Sequence, residues 1–354
     1  MNCQAHCLHL VVALSVIAMS SCAIGPASPG ENPIATASSA RESTGNRSLQ
    51  AGMNVLVYGR DAADLPTMNR FVQRMAWLHV DSVSVVIPLF QNGPTASRIL
   101  VDERTPSDGE LRDLIRICRR AGLRVLMRPL LDEETLLRVG QWRGSIQPAD
   151  RTGWFASYNE LIRRYASLAE REHVDIFSVG SEFSSLEPDD VRWREVIGTA
   201  RRNFSGKLIY SRNWDSHATL GFASLLDFLG IDAFYPLRAP ADAQIEDLIE
   251  AWRPWVDEIQ RAQSTSDQPV LITEIGIASR VGAYAEPWRG DLSGETNLES
   301  QRRDYAAACR ALAGYVSGMY WWTTTLHPLT HPESDPGFDP TGKPAEEEIR
   351  TCFQ

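Results

Sequence analysis

From Gly52 onward the chain alternates between two apolar patterns. The first is a short, nearly unbroken run rich in Val, Ile, Leu and aromatic residues. It recurs at 54–58, 82–89, 124–129, 175–180, 207–210, 228–235, 269–275 and 318–323. Runs of this length and composition are what a parallel strand covered on both faces requires. The second repeats every three to four positions and predicts amphipathic helices over 65–78, 107–121, 154–172, 188–204, 245–263, 298–312 and 346–352. Local signals agree with it. Ser107 and Glu110 have the spacing of a capping box, and Gly122 follows as a stop. Pro188 leads into Asp189 and Asp190, as a helix N-terminus should.

Eight strands alternating with helices predict a (β/α)8 TIM barrel, an α/β fold, as a single domain over 51–354. A doubly wound sheet is the alternative, but it would carry a glycine-rich phosphate loop after its first strand. Here the first strand runs into Tyr58-Gly59-Arg60-Asp61, and the chain shows no internal repeat.

The first fifty residues do not fit this alternation. Leu8 to Met19 is an apolar run of secretory length, too short to span a bilayer, and it ends in Met19-Ser20-Ser21-Cys22. Residues 1–21 therefore read as a signal peptide of lipoprotein type, with Cys22 as the lipidation site; a simple cleaved signal is the alternative. Residues 22–50, rich in Ser, Ala, Pro, Gly and Asn without apolar periodicity, read as a disordered tether. The expected location is the cell envelope, with the protein membrane-anchored through lipid alone, or else periplasmic or secreted.

Composition adds limits. The 354 residues are 43% hydrophobic, and the net charge of −10 comes without a basic patch, which argues against a nucleic-acid partner. Ten tryptophans exceed ordinary use and could supply stacking faces for sugars. Beyond Cys22 the cysteines are Cys118, Cys309 and Cys352, so at least one stays free. Cys118, among Leu114, Ile115 and Ile117, reads as a core thiol. Cys309 and Cys352, in the last two helical segments, could pair.

A barrel carries its chemistry at the C-terminal ends of its strands. Two ends place a lone carboxylate directly after an apolar run: Glu182 in Gly180-Ser181-Glu182, and Glu274 in Thr273-Glu274-Ile275-Gly276. Strand alternation can be applied to both. If Glu182 points into the mouth, Gly180, Ser178 and Ile176 point inward and Val179 and Phe177 face the helices. If Glu274 points in, so do Ile272 and Val270. Strands four and seven lie across the ring from each other. Two carboxylates projecting from them could stand about 5 Å apart, the separation a retaining glycosidase uses.

Several segments extend this picture: P-L-F-Q at Pro88–Gln91, G-L-R-V-L-M-R-P at Gly122–Pro129, W-R-G-S-I at Trp142–Ile146 and W-F-A-S-Y at Trp154–Tyr158. They continue with V-G-S-E-F at Val179–Phe183, N-W-D at Asn213–Asp215, G-I-D-A-F-Y-P-L at Gly230–Leu237, T-E-I-G at Thr273–Gly276, Pro287-Trp288 and G-K-P-A at Gly342–Ala345. In order and spacing the chain resembles glycoside hydrolase family 113, endo-β-1,4-mannanases of clan A. The resemblance implies retaining hydrolysis of β-1,4-mannan or its oligosaccharides. Glu182 would be the acid/base and Glu274 the nucleophile, with Tyr235 hydrogen-bonded to the nucleophile. Asn213, Trp214 and one of Trp321 or Trp322 would form the sugar rim. Adjacent residues on a regular strand face opposite ways, so only one of the two tryptophans should face the substrate. Gln91 ends strand two beside this rim, and Arg128 would support a carboxylate at the mouth.

Two positions differ from the family pattern. Leu130 stands where members often have His, and Ser181 where Thr often precedes the acid/base. The first removes a polar group near the sugar, so another β-linked glycan stays open as substrate. A non-catalytic carbohydrate-binding lipoprotein on the same barrel is the other alternative.

The remaining candidates have plainer readings. Asp132, Glu133 and Glu134 are a solvated acidic loop face rather than a metal site. His327 and His331 are separated by Pro328, which breaks helical ligand spacing. Asp215 is a helper of Asn213, Asp232 is structural, and Glu187, beside Pro188, opens a helix. No cofactor or metal is implied; the expected partner is a poly- or oligosaccharide substrate, and the protein is expected to be a monomer.

Overall fold

The structure is a computed structural model describing residues 49–59, 63–131, 135–136, 141–216, 219–264, 268–290 and 294–354. The signal, Cys22, nearly all of the tether and the acidic run Asp132–Glu134 lie outside the described residues.

Eight parallel strands pair in chain order and close into a barrel. They are β1 (Gln50–Leu56), β2 (Ser82–Leu89), β3 (Arg124–Leu131), β4 (Ile176–Ser181), β5 (Lys207–Asn213), β6 (Phe228–Asp232), β7 (Val270–Ile275) and β8 (Gly318–Thr324). The main helices are α1 (Leu65–Trp77), α2 (Asp108–Arg120), α3 (Arg151–Arg171), α4 (Asp190–Asn203), α5 (Ile245–Ser264), α6 (Leu298–Leu312) and α7 (Pro344–Cys352). Between β5 and β6 a 3-10 turn, Ala223–Leu225, replaces a full helix. This is the (β/α)8 TIM barrel that the alternation predicts.

Caps account for most helix starts. Ser107 and Glu110 form the capping box on α2 in both directions. Asp150 caps α3 through the Gly153 amide, which starts that helix three residues before its apolar pattern begins. β1 starts at Gln50, earlier than its Val-rich segment suggests. Ala51 and Gly52 look like loop residues, but Gly52 packs so closely on the Tyr320 ring that a Cβ there would lie 2.4 Å from it.

Two apolar layers form. The larger lies between strands and helices and includes Val55, Phe177, Val179, Val270, Ile272 and Trp321. A small one fills the barrel floor with Leu126, Ile176, Ile209, Leu271 and Tyr320. Above that floor the interior turns polar, with Asn54, Arg128, Ser211, Asp232 and Thr273 all buried. Cys309 of α6 is bonded to Cys352 of α7 with Cα atoms 5.8 Å apart, and Cys118 is a buried free thiol whose titration burial pushes up to about 12. The pairing ties the last helix to the ring, a constraint that acts on the unfolded chain.

The alternation predicted for β4 and β7 is only partly right. Ile176 faces the floor, and Phe177 and Val179 face the helices, as expected. Gly180, however, also faces outward: a Cβ there would meet Tyr210 at 2.9 Å and Trp193 at 3.0 Å. The β4–β5 register shifts between Ser178 and Gly180. On β7, Val270 and Ile272 belong to the helix-facing layer and Leu271 to the floor, the reverse of the expectation. There the register slips against β6 between Ile231 and Asp232, and against β8 between Ile272 and Ile275. A bulge inverts strand parity beyond it, and bulges often re-aim a side chain beside a site. Each carboxylate arrives at the mouth through such an irregularity.

Candidate active site

Arg128 of β3 is fully buried at the centre of the upper barrel. Its Nε donates to Ser181 Oγ at 3.0 Å and its Nη2 to Asp232 Oδ2 at 2.6 Å. The same Nη2 lies 2.7 Å from Glu274 Oε1, within ion-pair reach but out of line for a hydrogen bond. Thr273 Oγ1 donates to the other Asp232 oxygen at 2.7 Å. Asn54 of β1 braces β7 and β8, donating to the carbonyls of Thr273 at 2.9 Å and of Tyr320 and Trp321 at 3.3 Å. Residues from β1, β3, β4, β6 and β7 thus fix Glu274 in a rigid polar frame.

Glu182 is held differently. Its backbone is left-handed, with φ +55°, a conformation that costs a non-glycine residue of order 1 kcal/mol and gathers at functional sites. Its amide donates to Ser211 O at 2.8 Å. Its Oε2 accepts from Arg143 Nη1 at 2.5 Å, and Arg143 Nε donates to Leu131 O at 2.6 Å. Arg143 sits on a 3-10 turn, Arg143–Ser145, in the long connection between β3 and α3. It lies inside the W-R-G-S-I segment, but an arginine in a loop gives no sign by itself of pairing with a strand-end acid.

Charge in this cluster is unbalanced. Two guanidinium groups face three carboxyls, Glu182, Asp232 and Glu274, so holding one proton among the three brings the cluster to neutrality. Burial pushes Glu274 well above the usual carboxylate range; Arg128 opposes this, while Asp232 and Glu182 add to it. Burial likewise raises Asp232, to about 6, against the pull of Arg128. Arg128 itself stays charged, its loss of hydration outweighed by Asp232, Glu274 and Glu182. A buried ion pair of this kind depends on every partner being present.

The predicted rim divides. Asn213 ends β5 almost fully buried, its Nδ2 donating to Asp215 Oδ1 at 2.7 Å, so Asp215 does orient it. Half-buried Trp214 stacks on the exposed ring of Trp288, with centroids 5.4 Å apart and planes at 14°. Trp322 is half-buried at the end of β8. Trp321 is fully buried and stacks on Tyr305 of α6 at 4.3 Å, so it belongs to outer packing.

Three expectations need correction. Tyr235 is not hydrogen-bonded to Glu274. Its ring stacks on Trp255 of α5 at 4.7 Å and meets Trp252 edge-on, because three residues beyond Asp232, the last paired position of β6, the chain has left the barrel's alternation. Gln91 is fully buried and structural: its Oε1 accepts from Trp154 Nε1 at 3.0 Å and its Nε2 donates to Gly93 O at 2.7 Å. Glu187 does not open α4, which follows Asp189. It is buried, and accepts from Tyr210 Oη at 3.0 Å and Ser216 Oγ at 2.9 Å.

Comparison with known proteins agrees with this geometry. The model of Glycoside Hydrolase Family 113 matches residues 60–343. The chain belongs to glycoside hydrolase family 113. This family 113 barrel is an enzyme, a glycoside hydrolase. It superposes on a GH113 β-1,4-mannanase with a TM-score of 0.76 at 22% identity, covering 86% of this chain and 99% of that one. A GH113 β-mannanase from Alicyclobacillus acidocaldarius gives 0.75 at 25% identity, covering 86% and 97%. A family 5 mannosidase from Rhizomucor miehei shares the fold at 13% identity, with a TM-score of 0.55 over 86% and 92%. No curated protein matches the chain.

Proposed function

We propose that this family 113 enzyme hydrolyses β-1,4-mannosidic bonds of mannan or manno-oligosaccharides with retention of anomeric configuration. The observation that carries the proposal is the convergence of two carboxylates, Glu182 and Glu274, on one mouth through two separate breaks in strand register. The names of the superposing family 113 enzymes favour mannan as substrate.

Glu274 is the nucleophile in this account. Arg128 holds it by charge while leaving Oε1 without an aligned donor, so the oxygen keeps its lone pairs for the anomeric carbon. Attack forms a glycosyl–enzyme ester and breaks the glycosidic C–O bond, and Glu182 passes its proton to the departing oxygen. Glu182 then takes a proton from water, whose oxygen displaces Glu274 and restores both groups. The proton that Glu182 gives to the departing oxygen in the first step is regained from water in the second, so the balance closes over the whole turnover. Glu182 must be protonated for the first step, so Arg143 has to loosen its ion pair when sugar enters, and its place on a short turn allows that.

Trp322, Trp214 with Trp288, and Asn213 with Asp215 form the sugar rim. Asp232 and Arg128 act beneath it. We also propose that the protein is exported and anchored through acylated Cys22; labelled palmitate should enter the wild-type chain and not Cys22→Ala.

The direct test of function is release of reducing ends from mannan. The wild-type enzyme should release them, and Glu274→Gln should not. Wild-type inactivity on mannan together with turnover of a β-glucan would replace the sugar while keeping the chemistry. Tight mannan binding without turnover would favour the carbohydrate-binding alternative.

A further inference from the structure

Behind Glu182 lies a buried polar chain that the mechanism does not use. The Phe183 amide, immediately after the left-handed Glu182, donates to Tyr210 Oη at 3.0 Å. Tyr210 Oη donates onward to Glu187 Oε1 at 3.0 Å. The second Glu187 oxygen accepts from Ser216 Oγ at 2.9 Å, and the Ser216 amide donates to Asn213 O at 3.0 Å. Tyr210 is fully buried, and Glu187 and Ser216 nearly so. The Tyr210 ring is wedged between Trp193 at 5.2 Å and Phe222 at 5.3 Å. Its edge occupies the space that a Cβ at Gly180 would need, at the β4 bulge.

We propose that Tyr210 and Glu187 are positioning residues that hold the Glu182 backbone in its left-handed form and lock it to the β5 loop carrying Asn213 and Trp214. A left-handed glutamate is unfavourable on its own and persists only where its surroundings fix it. Two partners do so here: the Ser211 carbonyl on the Glu182 amide and the Tyr210 hydroxyl on the next amide. Glu187 orients that hydroxyl, since a phenol O–H that donates to a carboxylate turns its lone pairs to the amide. The same carboxylate grips Ser216, so the proton donor and the sugar rim share one buried anchor. A neutral hydroxyl at position 210 without an acceptor at 187 would lose this orientation.

The inference rests on Glu182 being the proton donor, and its test has one arm that does not need that assignment. Tyr210→Phe keeps the ring and removes the hydroxyl. Deuterium uptake over 183–187 should rise several-fold in the substrate-free protein; unchanged protection would overturn the clamp. On a series of aryl β-mannosides, kcat/KM of Tyr210→Phe should fall on the order of 10- to 100-fold for poor leaving groups and less than about 3-fold for dinitrophenolate, which needs little protonation. KM should change less than about twofold. Equal loss across the series would mark Tyr210 as packing alone and defeat the proposal. Glu187→Gln, which keeps an acceptor oxygen for the phenol, should stay within about threefold of wild type. Glu187→Leu should reproduce the leaving-group dependence of Tyr210→Phe; wild-type behaviour from Glu187→Leu would contradict the role of Glu187. If the wild-type enzyme turned over no mannoside, the proposed function would fail and the exchange arm would still decide the clamp.

Discussion

The two carboxylates of the mouth are held in opposite ways. Glu274 stands in a frame built from strand residues, Arg128, Asp232, Thr273 and Asn54, every one of them buried. Glu182 stands at a strained backbone position, paired with Arg143 on a turn whose side chain is 17% exposed. The difference fits what each group would have to do in the proposed mechanism. A nucleophile gains from a fixed position and a constant positive neighbour. An acid/base must release one proton and take up another in every turnover, which a partner on a loop permits and a buried partner would not.

Mutations can break or sharpen this contrast, and the largest effects belong to the carboxylates themselves. Glu274→Gln should lower kcat on mannan by roughly 10⁴-fold or more, read as reducing ends released, because no ester can form. Glu182→Gln should cost on the order of 10²- to 10⁴-fold with poor leaving groups and far less with activated aryl mannosides. Equal losses for both substrate classes would exclude Glu182 as proton donor.

The supporting arginines should separate by stability. Arg128→Met strands Asp232 and Glu274 without a counter-charge, and urea unfolding at neutral pH should show a loss of about 3–5 kcal/mol. Arg143→Met removes a partly exposed pair and should cost about 1 kcal/mol or less. Similar values for the two would mean that the contrast between frame and loop is wrong.

The smallest effect is on pH dependence. Burial, the Asp232 charge and the Glu182 charge all raise Glu274. A nucleophile must be ionised, so activity is lost as pH falls through that raised value. Asp232→Asn removes one of these three causes and should move the acidic limb of kcat/KM downward by about half a unit to one unit. An upward shift would show that Asp232 is not acting on Glu274 by charge.

The barrel was legible because strands covered on both faces leave continuous apolar runs and helices leave a three-to-four repeat, and both signals are local. The positions of Glu182 and Glu274 were legible as acids directly after such runs. The reason they reach the mouth was not. Period-two reasoning assumes an unbroken ladder, and β4 and β7 each slip before the acid, so Gly180, Val270 and Ile272 face the helices. Arg128 was legible as a charge at a strand end. Arg143 was not, since its partner lies 39 residues away and its own turn carries no regular pattern. Tyr235 was misplaced for a related reason: β6 ends at Asp232, and alternation says nothing beyond the last paired residue. The Trp321–Trp322 ambiguity needed the structure, where the Tyr305 ring takes Trp321 into the outer layer. The bond between Cys309 and Cys352 was open in the sequence because chain separation does not determine distance between helices.

Proton NMR of the first product formed from a β-1,4-manno-oligosaccharide tests the central claim most directly. Two carboxylates working by double displacement predict that the new reducing end appears first as the β-anomer and then mutarotates. A first-formed α-anomer would contradict the account, because it would mean that water, and not Glu274, attacks the sugar.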